Sequence, residues 1–241
     1  MSYFDHIKEL RKRLILCFLF MLICFIFFFI NAEIVSNILV KPLYNLLKND
    51  DKRMIFTGLP EVFISYLKIS LFASFLCSFP FFILQLSIFI SPALYKKEKV
   101  FFKPISFLIP ILFFLGVIFA YFILIPIIWK FFLSFESSQS SDYFSIELES
   151  RMGEYMKLIM YLLFSCGLSF LFPILLIILA KLKIVSVESL KKQRKFFFIG
   201  ILIFSAVFTP PDIISQLGIA IPLICFFEIS LLLINVLIKK K

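Results

Sequence analysis

Leu14-Ile15-Leu16-Cys17-Phe18-Leu19-Phe20-Met21-Leu22-Ile23-Cys24-Phe25-Ile26-Phe27-Phe28-Phe29-Ile30 is seventeen residues long and carries no charge. A helix needs about 20 apolar residues to cross roughly 30 Å of hydrocarbon, so this run is long enough to be a membrane span. Arg11-Lys12-Arg13 precedes it and Asn31-Ala32-Glu33 follows it. A cleaved secretory signal has an apolar region of about 7–15 residues and ends at a small-x-small site. This run is longer and lacks the site, so it reads as an uncleaved first span.

Working outward, five more apolar segments follow at about 69–90, 105–129, 158–180, 196–208 and 217–238. Their apolar residues run on instead of alternating, which favours helices over barrel strands. The expected fold is all-α, a single six-span integral membrane domain over 1–241. The whole chain agrees: it is 62% hydrophobic and only 17% charged. Soluble domains sit near 45–50% apolar and about 25% charged, so a soluble enzyme is excluded as the leading reading. The 36 Phe residues read as a bias of residue usage.

The net charge of +10 records orientation more than a partner. Of the 25 Lys and Arg, 17 fall in 1–13, 91–104, 181–195 and 239–241, the segments on one side if the spans alternate. Only 4 of the 15 acids fall there, so that side carries +13 and the other −2, with Glu228 inside a span. Basic loops stay in the cytoplasm, which puts both termini inside. Nucleic acid is not an expected partner.

The loops differ. The long first outer loop, 31–68, contains apolar stretches that suggest short interfacial helices. In the second, the polar Ser137–Asp142 stretch reads as a turn, and 144–157 as an amphipathic approach to span four. The fifth apolar run, Phe196 to Phe208, is only thirteen residues. Pro210 and Pro211 end it in the turn Thr209-Pro210-Pro211-Asp212, because neither offers an N–H. That turn should lie below the outer surface, or the bilayer must thin.

A few polar groups need a reason. Glu228 lies inside span six, where an ionisable group is costly and is a candidate functional residue or a hydrogen-bonded packing residue. Gln85 in span two and Gln216 at the start of span six suit hydrogen bonds between helices. On the inner side, Glu9 and Glu98 sit among Lys and Arg. They read either as local ion pairs or as a two-carboxylate acceptor for a cationic partner.

No catalytic constellation is present: the sequence has no H-E-x-x-H, G-x-S-x-G or P-loop. Cys17, Cys24, Cys77, Cys166 and Cys225 lie in apolar runs and form no C-x-x-C pair, so they read as small apolar filler. With one histidine, His6, no metal site is expected. The chain is not expected to be an enzyme, and no cofactor is expected.

In order along the chain come His6-Ile7-Lys8-Glu9-Leu10-Arg11-Lys12-Arg13-Leu14, Lys41-Pro42-Leu43, Phe79-Pro80 with Gln85, and Phe89-Ile90-Ser91-Pro92-Ala93-Leu94-Tyr95-Lys96-Lys97-Glu98. Gly116-Val117-Ile118-Phe119-Ala120-Tyr121-Phe122, Gly167-Leu168-Ser169-Phe170, Pro173, Thr209-Pro210-Pro211-Asp212, Ser215-Gln216, Ile221-Pro222 and Phe227-Glu228-Ile229 follow. This series resembles the TatC family, the multi-spanning core subunit of the twin-arginine protein translocase, over nearly the whole length.

The resemblance implies a receptor for signal peptides with two consecutive arginines, exporting folded cargo across a membrane energised by a proton-motive force. It implies small single-span partners of the TatA/TatB type, self-association in a larger complex, and a concave scaffold open to lipid. By motif, Glu9, Phe89 and Glu98 would bind the twin arginines. Gln85, Gln216 and Glu228 would be intramembrane polar or partner-helix contacts, and Pro210, Pro211 and Asp212 the structural turn. The family usually carries an acid where this chain has Leu171, which removes that acid as a partner-docking or proton-relay group. The expected location is a bacterial inner membrane. The rival reading is a small-solute or ion transporter using Glu228 and Gln85.

Overall fold

The computed structural model describes residues 3–47, 54–93, 96–135, 137–141, 144–146, 149–181, 187–208 and 213–239. In chain order the helices are α1 (Tyr3–Ile30), α2 (Ala32–Tyr44), α3 (Glu61–Ile90), α4 (Lys96–Phe119), α5 (Ile125–Leu133), α6 (Met152–Phe170), α7 (Phe172–Lys181), α8 (Val187–Lys192), α9 (Arg194–Phe208) and α10 (Ile213–Lys239). A 3₁₀ turn, Ser91–Ala93, follows α3, and one π turn, Ala120–Leu124, joins α4 to α5. The turn Thr209-Pro210-Pro211-Asp212 lies outside the described residues.

Among the described residues, five helical stretches are long and apolar enough to cross a membrane: His6–Ile30, Glu61–Ile90, Phe102–Leu133, Met152–Lys181 and Ile213–Leu232. The sixth expected span is α9, fifteen residues long, or roughly 22 Å at 1.5 Å per residue. Span two extends further than its apolar segment because the helix starts back at Glu61.

Proline sets the irregularities. Pro126 has no N–H to donate and its ring would crowd the carbonyl four residues back. The π turn at Ala120–Leu124 absorbs this by widening the helix by one residue. Pro173 breaks α6 from α7 at Leu171, whose N–H turns to the carbonyl of Leu168 at 3.0 Å. The position where the resemblance led us to look for an acid is therefore a helix break.

The 144–157 segment corrects the sequence reading. Phe144–Ile146 is a strand, β2, paired antiparallel with β1 (Ser137–Ser141), and the helix starts only at Met152. Serines bond nearby backbone and disfavour helix, and Phe144-Ser145-Ile146 alternates with period two.

The described chain forms two compact units, residues 1–41, 53–111 and 150–156, and residues 42–52, 112–149 and 157–241. In the first, α1 packs antiparallel on α3. His6 meets Phe89, Phe20 stacks on Phe81 at 4.6 Å, and Phe29 lies edge-on to Phe63 at 6.2 Å. Ser70, Ser74 and Ser78 form a buried stripe on α3. Their hydroxyls bond back to carbonyls of Tyr66, Leu71 and Phe75, and Ser70 reaches Phe28 of α1 at 3.3 Å. Small residues at four-residue spacing let helix backbones approach where no water drives them together, and back-bonded hydroxyls leave no polar group unsatisfied.

The outer ends of this unit are tied by one carboxylate. Glu61 accepts the N–H groups of Thr57 (2.8 Å), Gly58 (3.3 Å) and Gly153 (3.2 Å). Tyr155 adds a hydrogen bond to the Leu39 carbonyl at 2.9 Å.

In the second unit, α4 and α6 touch through glycine. A Cβ on Gly116 would lie 2.6 Å from the Cys166 carbonyl oxygen and 2.9 Å from Gly167 Cα. Only glycine permits that approach. Aromatic rings then run from Phe119 through Phe170 to Phe226, with centroids 5.5 and 4.5 Å apart. α9 lies antiparallel to α10, with Phe197 stacked on the fully buried Phe227 at 5.0 Å.

Candidate functional site

The basic end of α1 builds the site. His6, Glu9 and Arg13 recur at spacings of three and four, which places them on one helical face. That face meets the last two turns of α3, where Gln85 and Phe89 are also four apart.

The geometry is specific. Arg13 donates from Nε and Nη2 to Glu9 Oε1, at 3.0 and 2.6 Å, and from Nη1 to Gln85 Oε1 at 3.0 Å. The His6 ring stacks on Phe89 with centroids 4.4 Å apart and planes 18° from parallel. His6 Nδ1 stands 4.0 Å from Glu9 Oε2. The Arg13 and Glu9 side chains are 22% and 24% exposed, so solvent screens this pair less than a surface pair. Lys8, Arg11 and Lys12 are exposed around it.

This arrangement sorts the expected residues. Glu9, Gln85 and Phe89 come together in one cluster. Gln85 sits at its basic end and joins α3 to α1, the interhelical bond expected of it. Glu9 has a local partner, but the partner is four residues along its own helix. Glu98 lies in the first turn of α4, with its side chain outside the described residues.

The remaining polar residues gather in the second unit. Gln216 donates from Nε2 to the Leu202 carbonyl at 3.2 Å, bridging α10 to α9. Glu228 pairs with Arg194 at 3.1 Å, so its charge is matched by the first residue of α9. Beside this hairpin is an open apolar groove of about 490 Å³, lined by residues including Leu168, Ser169, Phe172, Phe196, Gly200 and Leu223.

Sequence reasoning passed over His6, did not single out Arg13 although a local ion pair was one of its readings of Glu9, and passed over Arg194. The signal for the first two was available in the His6–Glu9–Arg13 spacing. For Arg194 no local spacing exists, because its partner is 34 residues away.

Comparison with known proteins decides the family. The profile of TatC, described as Sec-independent protein translocase protein (TatC), matches residues 5–222. This chain belongs to the TatC family. The TatC protein of Rickettsia prowazekii is 37% identical over 234 residues, covering 97% of this chain and 92% of that protein. The TatC of Escherichia coli K12 is 30% identical over 225 residues, 93% and 84% of the two chains. A crystal structure of a twin-arginine translocase receptor, TatC, in DDM is similar at a TM-score of 0.79 and 33% identity, covering 95% of this chain and 98% of that one. The protein is thus a multi-pass helical membrane protein and a subunit of the Sec-independent protein translocase.

Proposed function

We propose that this TatC protein is the receptor for twin-arginine signal peptides and the core of a complex exporting folded proteins across a bacterial inner membrane, driven by the proton-motive force. Both termini face the cytoplasm, and the chain acts as one integral membrane domain. Small single-span subunits of the TatA/TatB type and further copies of the chain complete the complex.

One observation carries the reading. Glu9, on the α1 face whose His6 and Arg13 meet Phe89 and Gln85 of α3, accepts the guanidinium of Arg13 through two N–H groups. The face is thus built to hold an arginine fork against a carboxylate, a geometry that an ammonium cannot copy. Glu98 supplies the second carboxylate, and each charge-assisted bond contributes about 1.5–3 kcal/mol. Polar contacts of Gln216 and the groove beside α9 and α10 are the place for a partner's membrane helix. The solute-transporter reading loses support, since Glu228 is paired with Arg194 and Gln85 with Arg13.

The test is photocrosslinking of a twin-arginine signal peptide to membranes carrying Glu9→Gln, Glu98→Gln or both. Crosslinking should fall tenfold or more in each. Undiminished crosslinking in all three would reject the receptor role.

A further inference from the structure

We propose that His6 gates the free oxygen of Glu9 by its protonation, so that an incoming guanidinium and a proton compete at this end of α1. The inference rests on the receptor role of Glu9 and adds its regulation. Arg13 uses only one of the two carboxylate oxygens: its bonds from Nε and Nη2 both end on Oε1. Oε2 is the acceptor left for an arginine from outside. His6 stands beside that oxygen, with Nδ1 at 4.0 Å.

The charge on the ring decides whether Oε2 is open. A neutral imidazole at 4.0 Å is beyond hydrogen-bond reach and leaves the oxygen free. A protonated one is a cation three residues along the same helical face, and a small turn of its side chain closes the pair. The stack on Phe89, with planes 18° apart and centroids separated by 4.4 Å, keeps the ring at this post in both states. An aromatic face also attracts a cation lying over it. The His6 side chain is 40% exposed, so protons reach it from water.

Among the described residues, the charged groups facing His6 are Glu9 and, two turns on, Arg13, both on α1. The facing part of α3 presents Phe89 and Gln85, neither of them charged. His6 is the one histidine of the sequence, and histidine is the side chain that ordinarily changes charge between about pH 5 and 8. The proton disfavours the arginine, and the arginine disfavours the proton by the same factor. Peptide affinity is therefore full at the upper end of that range and falls as pH drops through it.

The test titrates a twin-arginine signal peptide lacking histidine, by photocrosslinking, onto membranes carrying the full-length chain and its partner subunits. An uncoupler gives both faces one pH. Apparent affinities at about pH 7.5 and about pH 5.5 are compared for wild type, His6→Phe, His6→Gln and Glu9→Gln. Wild-type affinity should fall about fivefold or more at the lower pH. His6→Phe keeps a ring for Phe89 and His6→Gln keeps a polar group, but neither takes up the proton. Their affinities at the two pH values should agree within about twofold.

No fall in wild type, or an equal fall in either variant, overturns the proposal. Loss of all binding at the higher pH in both variants overturns it too, since His6 would then be needed for binding itself. Glu9→Gln separates the two ideas. If it binds as wild type does at the higher pH, the receptor reading itself fails. If it binds weakly while wild type and the His6 variants share one pH profile, only the gate fails.

Discussion

Glu228 shows how a residue's meaning changes once its neighbour is known. In sequence it is an acid within an apolar run, which suggests function by default. In the structure it is one half of a pair with Arg194, and the two side chains are 38% and 43% exposed. A pair at that exposure contributes about 0.2–1 kcal/mol. A double-mutant cycle with Glu228→Gln and Arg194→Gln, read as thermal midpoints in detergent, should give a coupling in that range. A coupling indistinguishable from zero would show that the pair does not form. Glu61 is a different case. Its carboxylate satisfies the N–H groups of Thr57 and Gly58 in the turn before α3 and that of Gly153, which the first turn of α6 would otherwise leave open. We expect Glu61→Ala to lower the thermal midpoint and to make the 54–61 segment cleavable by protease while twin-arginine peptide binding persists. Unchanged protease resistance would remove Glu61 from this tying role.

At the scale of elements, close approach is the controlling feature. Gly116 has no room for a Cβ against the Cys166 carbonyl, whereas a Cβ on Gly200 would meet nothing within 4 Å. Gly116→Val should therefore cost about 1–3 kcal/mol through overpacking. Gly200→Ala should stabilise α9 slightly, by up to about 1 kcal/mol. Equal effects of the two, measured by unfolding in mixed micelles, would refute the packing argument. The same scale shows what the sequence made legible. Uninterrupted apolar runs marked the helices, because the bilayer permits few alternatives. Prolines 126 and 173 were visible in the sequence, but the π turn and the helix break beside them were not read from it. The serine stripe of α3 was readable only in part: its spacing is visible, yet which helix it faces depends on tertiary pairing. The β1–β2 hairpin was missed because its register depends on contact between two short segments. Of the candidate site, Glu9 and Phe89 were found by motif. That Glu9 pairs locally was one of its two readings; that Arg13 is the partner was not singled out, although its spacing of four on α1 was visible.

Across the whole molecule, apolar side chains remain outside as well as inside. Phe18, Phe27 and Ile30 of α1 are 61%, 62% and 77% exposed, as suits a helix with one flank on α3 and the other against acyl chains. The element that fits a bilayer least is α9, whose fifteen residues reach roughly 22 Å against a hydrocarbon thickness of about 30 Å. Mismatch costs fractions of a kcal/mol per Å, so a series of reconstitutions in lipids of decreasing acyl length should raise the thermal midpoint until the slab matches α9. A midpoint that peaks in thick bilayers instead would show that α9 does not set the local thickness. A thinned slab also has an electrical meaning. A membrane voltage acts on each elementary charge with about 2.3 kcal/mol per 100 mV whatever the thickness. Where the insulating layer narrows to roughly 22 Å instead of about 30 Å, that same drop is compressed, and the local field rises by about a third. A bilayer that thinned to the length of α9 would therefore make its neighbourhood the place where an applied potential pulls hardest on a charged chain.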